Sequence, residues 1–319
     1  MMPDRQQDTG FDSVMFICAI FGAILTLIVV IYENSGQRGA ELTARSATPE
    51  YGERLLRETT RYIGPEQPDP AMRFSGNGLD CASCHLETGT QPGTLSLLNA
   101  AKRYPRFSGR DGGERDLRDR INGCMQRSMN GIPMDRDSVE MIAMESYILS
   151  LGQQSDLMSD SDLVSSEPPV FVEPQRRADP IAGEKVYEEN CQICHGVNGL
   201  GLKESSDALD GYMFPPLWGP ESYNNGAGMN RVLTAARFIK ARMPLGEPIL
   251  TDAQAYDVSA YINSQPRPEK SNLEVDYPEL FRKPVDSPYP PYDDPFPQEQ
   301  HKYGPFKPIR DYYSTRESQ

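Results

Sequence analysis

The sequence predicts a mainly α-helical chain: two small domains of one kind in tandem, an N-terminal transmembrane helix before them and an irregular tail after. Three observations predict this. The pattern Cys-x-x-Cys-His occurs twice, as Cys81-Ala82-Ser83-Cys84-His85 and Cys191-Gln192-Ile193-Cys194-His195. Apolar residues recur with helical period before each copy and again at the end of each following segment. The length of 319 residues leaves room for about two domains, one per copy.

Two cysteines two residues apart, with histidine next, form the attachment signature of a c-type haem. The thiols become thioethers on the haem vinyl groups, and the histidine is delivered to the iron. A redox dithiol does not need that histidine, and an all-cysteine zinc site has no use for it. The sequence therefore predicts two covalently bound haem c groups, one on Cys81, Cys84 and His85, the other on Cys191, Cys194 and His195. Of six cysteines and three histidines, Cys18, Cys124 and His301 are left over. The net charge of -14 argues against nucleic acid as a partner.

Residues 1–45 read as anchor and stalk. Val14 to Tyr32 is an uncharged run of 19 residues, near the roughly 20 that cross a bilayer. No small-residue cleavage site follows closely, so the segment is expected to stay. Haem attachment takes place outside the cytoplasm, which sets the expectation of an inner-membrane anchor with the haem domains in the periplasm. Cys18 lies inside the span as a small apolar residue.

Residues 46–154 read as the first haem domain. A helix is predicted over Pro49 to Ile63, ended by Pro65, and another over Val139 to Leu151. Between them Lys102, Arg103, Arg106, Arg110, Arg115, Arg118, Arg120 and Arg127 oppose only Asp111, Glu114, Asp116 and Asp119. For most of these arginines a solvated face with ion pairs suffices. A helix over Leu117 to Met129, weakened at Gly123 by about 1 kcal/mol and capped by Asn130-Gly131, would put Arg120, Cys124 and Ser128 on one stripe. A guanidinium fork suits oxyanions, and a nearby cation favours thiolate. Cys124 is the uncommitted cysteine outside the predicted span, and an unpaired thiol in an oxidising compartment invites a functional role. The spacing leaves the sixth ligand of the first haem open among Met125, Met129, Met134 and the Cys124 thiolate.

Residues 155–178 read as a semi-rigid linker with Pro168-Pro169 and Pro174. Residues 179–265 read as the second haem domain, with helices over Ile181 to Glu189, Met229 to Arg242 and Asp252 to Ile262. Pro244 cannot continue the middle helix, so Met243 turns towards the second haem as its sixth ligand; a His/Met haem generally has the higher potential. Lys240 is the weaker nitrogen candidate. Met213, Met229 and Trp218 are expected to pack. Residues 266–319 hold 11 of the 28 prolines among Tyr and Phe, which predicts an irregular strap packed on the body. His301 is expected there as a surface or hydrogen-bonded residue.

Arg103-Tyr104-Pro105-Arg106-Phe107-Ser108-Gly109-Arg110 and Arg120-Ile121-Asn122-Gly123-Cys124-Met125-Gln126-Arg127-Ser128-Met129-Asn130-Gly131 resemble the active-site stretch of the dihaem thiosulfate dehydrogenases, the tetrathionate-forming cytochromes c. The tail from Lys283-Pro284-Val285-Asp286 to Gln300-His301-Lys302-Tyr303-Gly304-Pro305-Phe306 is similar to theirs as well. The resemblance implies that Cys124 is the distal ligand of the first haem and the catalytic residue, opposite His85. It implies His195 and Met243 on the second haem, with Arg110, Arg120 and Ser128 lining the substrate pocket. The implied reaction joins two thiosulfates into tetrathionate, in either direction. Its two electrons would pass to a respiratory or photosynthetic acceptor, an electron-accepting cytochrome or a membrane oxidase. The membrane anchor departs from the soluble form expected of that family. The alternative is a non-catalytic, membrane-anchored dihaem electron-transfer subunit, which would use Met on both haems and give Cys124 no role.

Overall fold

The computed structural model describes residues 45–158 and 170–317. The predicted span Val14 to Tyr32 lies outside them, as does Cys18. No helix among the described residues is long and apolar enough to cross a membrane.

The chain is mainly helical, with two short antiparallel hairpins, Arg106–Ser108 with Gly113–Arg115 and Leu202–Lys203 with Tyr212–Phe214. The first domain opens with the helix Pro49–Arg57. Thr48 caps it by accepting from Tyr51 N at 3.4 Å, Pro49 sits in its first turn, and Tyr51, Leu55 and Leu56 face inward. The helix does not run unbroken to Ile63 as expected. It stops at Glu58, and Thr59–Ile63 forms a separate short helix. The break has a local cause. The Thr59 hydroxyl donates to Leu55 O at 2.7 Å and accepts from Cys81 N at 3.0 Å, while Thr60 N donates to Asp80 Oδ1 at 2.9 Å. Side-chain bonds of this kind compete with helix continuation, and here they seat the first haem motif.

The closing helix of this domain runs Val139–Asp156, five residues past the expected end. Its apolar face ends at Leu151, but buried Ser155 extends it, receiving Lys102 Nζ at 3.1 Å. The first and last helices cross where Gly52 lies. A Cβ there would come within 2.1 Å of Ala143 O, so the crossing needs glycine. The second domain repeats the device: a Cβ on Gly183 would come within 2.0 Å of Asp257 O. Gly183 belongs to the helix Pro180–Asn190 and Asp257 to Asp252–Ser264. The same helix crossing built twice is the structural form of the tandem repeat.

In the second domain the middle helix is Val232–Arg242. Met229 is not part of it as expected: Gly228–Asn230 is a separate 3₁₀ turn, and extended Arg231 begins the helix. Trp218 is buried against Tyr187 and Tyr261, at ring separations of 5.0 and 5.7 Å. Met213 does not pack as expected. It sits mid-strand with its side chain on the outer face, 56% exposed.

The tail is less irregular than its prolines suggested. After two 3₁₀ turns it forms helices Gln298–Tyr303 and Lys307–Glu317. Tyr303, Phe306 and Ile309 share a core with Val232, Leu233, Ala236 and Tyr256 of the second domain. His301 is buried and hydrogen-bonded, Nδ1 to Val285 O at 2.9 Å and Nε2 to Asp294 at 3.0 Å, and it stacks on Tyr292. The haem domains meet along a polar seam. Asn77 Nδ2 bridges Ser128 O and Ser222 O, Asn224 Nδ2 donates to Gln126 O at 2.9 Å, and Arg242 Nη2 donates to Pro92 O.

Candidate functional site

Both Cys-x-x-Cys-His segments form a single tight turn, Cys81–Ser83 in one and Gln192–His195 in the other. His85 Nδ1 meets Leu95 O at 2.7 Å, and His195 Nδ1 meets Pro215 O at 2.8 Å. A backbone carbonyl on Nδ1 fixes the proton there and leaves Nε2 as the metal-facing atom. Burial lowers the pKa of both imidazoles, and Arg120 lowers that of His85 further, so both stay neutral and able to ligate. Burial pushes the Cys81 thiol up to about 12, Cys84 to about 11 and Cys191 to about 12. A redox dithiol needs the opposite shift. The donor set thus fits covalent haem attachment and not dithiol chemistry.

The distal residues of the first domain come from the helix Leu117–Met125. Asp116 caps it reciprocally with Asp119, and Arg136 pairs with both carboxylates. One turn separates Arg120 from Cys124, and Arg120 Nη1 donates to Cys124 Sγ at 2.9 Å. The charge of Cys124 is the first cause raising the Arg120 pKa, against the opposing effect of burial. Cys124 itself is half-buried. The three competing methionines are not: Met125, Met129 and Met134 are 1%, 3% and 2% exposed, inside the apolar core with Leu117 and Ile121. In the second domain Met243 follows directly on the helix Val232–Arg242, half-buried, with its N–H on Ile239 O at 2.9 Å. Lys240 is engaged elsewhere, its Nζ donating to Leu250 O at 2.6 Å.

Ser128 departs from the expected stripe. The helix ends at Met125, four residues early, and a turn follows: Met129 N bonds Cys124 O at 3.0 Å, Gly131 N bonds Met125 O at 2.8 Å, and Asn130 takes φ 48°. Gly131 passes so close to Phe74 O that a Cβ would sit at 1.9 Å, so that position needs glycine. Ser128 is held beyond the helix by its carbonyl, which accepts from Asn77 Nδ2 at 3.0 Å.

Ion pairing accounts for part of the arginine segment, with Arg115 on Asp111 and Arg118 on Glu145 and Asp137. Arg110 is different. Its Nη1 donates to Gly226 O of the second domain and to Asp276 Oδ2 of the tail, both at 3.1 Å. Asp276 also accepts from Arg127 Nη2 at 2.8 Å and from Tyr289 OH at 2.9 Å. Burial works against charge on Arg110, but Tyr277, Tyr289 and Asp276 together outweigh it and raise its pKa. Arg127 moves the other way, lowered by burial and then by Arg110 beside it. Asp276 raises both, so the opposite signs come from Tyr277 and Tyr289 on Arg110 and from burial on Arg127. The Arg110 and Arg120 charges act on one another, so this cluster adjoins the Cys124 pair. Asp276 and Tyr289 were missed by sequence reasoning, since nothing local marks a residue 166 positions from its partner.

The family described as "SoxA/TsdA, cytochrome c domain" matches residues 73–157, and the family "Cytochrome c" matches residues 181–266. The chain is 39% identical over 226 residues to a thiosulfate dehydrogenase of Stutzerimonas stutzeri, covering 70% of each chain. It is 38% identical over 222 residues to one of Allochromatium vinosum, covering 68% of this chain and 79% of that one. The as-isolated structure of the thiosulfate dehydrogenase TsdBA from Marichromatium purpuratum superimposes with a TM-score of 0.60 at 35% identity. That match covers 70% of this chain and 47% of the other, so this chain spans about half the length of that one.

Proposed function

Because the chain belongs to the thiosulfate dehydrogenase family of dihaem c-type cytochromes, we propose that it joins two thiosulfates into tetrathionate at Cys124. The observation that carries this site is the Arg120 Nη1 to Cys124 Sγ contact of 2.9 Å. That contact sets a cationic donor against the sulfur that would react and ligate. His85 and Cys124 are assigned to the first iron, His195 and Met243 to the second. The burial of Met125, Met129 and Met134 in the core supports Cys124 over them. Two c-type haems, when bound, can each take up one electron and so match a two-electron oxidation to one-electron acceptors.

The chain's own residues account for the rest. Thiosulfate is a dianion, and two must meet, so Arg110 and Arg120 offset the repulsion and orient them. The Cys124 thiolate forms a sulfur–sulfur bond with the sulfane sulfur of the first thiosulfate, and two electrons leave. The sulfane sulfur of the second thiosulfate then attacks the first. The bond to Cys124 breaks, tetrathionate departs and the thiolate is restored. Run backwards, the same steps reduce tetrathionate. The uncharged stretch Val14 to Tyr32 supports an inner-membrane anchor with the haem domains in the periplasm, passing electrons to a cytochrome or membrane oxidase. A pure electron carrier would give the Arg120–Cys124 pair no work.

The test is Cys124→Gly in the holoprotein. Haem content is expected to stay at wild-type level, because both Cys-x-x-Cys-His sites remain. Thiosulfate oxidation is expected to vanish, together with the low-spin thiolate–ferric signal in electron paramagnetic resonance. Retained turnover would sink the mechanism. Lost turnover with an unchanged haem spectrum would keep Cys124 as catalyst and return the ligand to a methionine.

A further inference from the structure

We propose that Asp276, carried in by the C-terminal strap, is a positioning residue for the reaction: it holds Arg110 and Arg127 side by side as one cradle for the charge of the reacting sulfur oxyanions. This rests on the reading that Arg110 meets thiosulfate.

Asp276 is 5% exposed, and each of its oxygens is committed. Oδ1 takes Arg127 Nη2 at 2.8 Å, and Oδ2 takes Arg110 Nη1 at 3.1 Å and Tyr289 OH at 2.9 Å. The strap also grips the backbone of the loop that carries Arg110. Tyr277 N donates to Arg110 O at 2.8 Å, and the Tyr277 ring lies 5.3 Å from the guanidinium carbon. Pro278 fits so closely against Gly112 that a Cβ there would meet its Cγ at 2.6 Å. Gly112 also has φ 66°, which favours glycine. The loop between strands Arg106–Ser108 and Gly113–Arg115 is thus clasped from outside its own domain.

The charge balance is uneven by construction. Arg110 and Arg127 both pair with the single carboxylate of Asp276. One negative charge fixes the cations without cancelling them, and the remainder attracts a dianion. A free arginine would explore many rotamers, and ordering it in advance removes that reorganisation cost from the moment of reaction. Asp276 therefore acts through Arg110 and Arg127 and does not itself touch substrate.

The experiment is a double-mutant cycle on the holoprotein, measuring thiosulfate oxidation with an artificial electron acceptor. Asp276→Asn is expected to lower kcat about tenfold, the worth of one charge-assisted contact. The KM for thiosulfate is expected not to rise, because the site gains net positive charge. In an Arg110→Gln background most of that kcat effect is expected to disappear. Wild-type kcat in Asp276→Asn, or a full independent loss on top of Arg110→Gln, would overturn the proposal. Wild-type kinetics in Arg110→Gln would instead overturn the substrate role of Arg110, so the two failures are distinguishable. Should Asp276→Asn fail to accumulate as holoprotein, Tyr289→Phe removes one bond to the same carboxylate and keeps its charge. It is expected to lower kcat two- to threefold, roughly, with KM unchanged, and wild-type kcat there would overturn the proposal.

Discussion

Met243 stands where the helix Val232–Arg242 gives out, one residue before Pro244. A thioether delivered by a chain turn is what a His/Met haem needs. Met243→Gly is expected to remove a methionine–iron charge-transfer band and lower the potential of the second haem, read by absorbance and redox titration. An unchanged spectrum would move the ligand elsewhere. The haem-attachment turns and the Arg120–Cys124 contact were legible because they are local. Cys-x-x-Cys-His is complete within five positions, and Arg120 and Cys124 meet because they are one helical turn apart. Ser128 was misplaced because helical spacing was extended past Met125, where Met129 N and Gly131 N close a turn on Cys124 O and Met125 O. Asp276 was invisible for another reason: its partners lie 149 and 166 residues away and depend on how the strap packs.

The element that matters most is Leu117–Met125, the short helix that presents Arg120 and Cys124. Nine residues make a marginal helix on their own, so its reciprocal cap is expected to count. Asp116→Ala is expected to destabilise the protein by about 1 kcal/mol in denaturant unfolding. The Arg136 pairs are screened by solvent, since both partners are nearly half exposed. The hydrogen bond from Arg136, foremost, holds the Asp116 carboxyl down to about 2, against an ordinary 3.8. A lowered carboxylate stabilises the fold above its unfolded pKa and stops doing so below its folded one. The difference between wild type and Asp116→Ala is thus expected to hold near neutrality and shrink between roughly pH 4 and 2. An equal loss at every pH would put the stabilisation elsewhere. Helix boundaries were read less well than helices. The break at Glu58 comes from Thr59 and Thr60 bonding to Leu55, Asp80 and Cys81, which no periodicity records. Gly52 and Gly183 carried a readable hint, a glycine inside each domain's opening helix, but its meaning appears only when the closing helix is laid across it.

At the scale of the whole molecule, the two haem domains and the tail are fastened together, while the first 44 residues lie outside the described structure. If Val14 to Tyr32 is a retained anchor, the mature protein is expected to sediment with membranes and to keep that stretch on N-terminal sequencing. A mature start beyond Ser35 would rule the anchor out. The tandem architecture was legible from two motifs and a length, whereas the fastening was not. The tail's prolines pointed to a strap, but they did not say that Tyr303, Phe306 and Ile309 would complete a core of the second domain or that Asp276 would reach the first. That reach has a consequence for how preparations are judged. Residue 276 lies beyond both haem-binding segments, so damage there leaves every attachment cysteine and histidine in place. Redness then reports cofactor loading and nothing about a finished substrate pocket, and specific activity has to be referred to intact C-termini, not to absorbance.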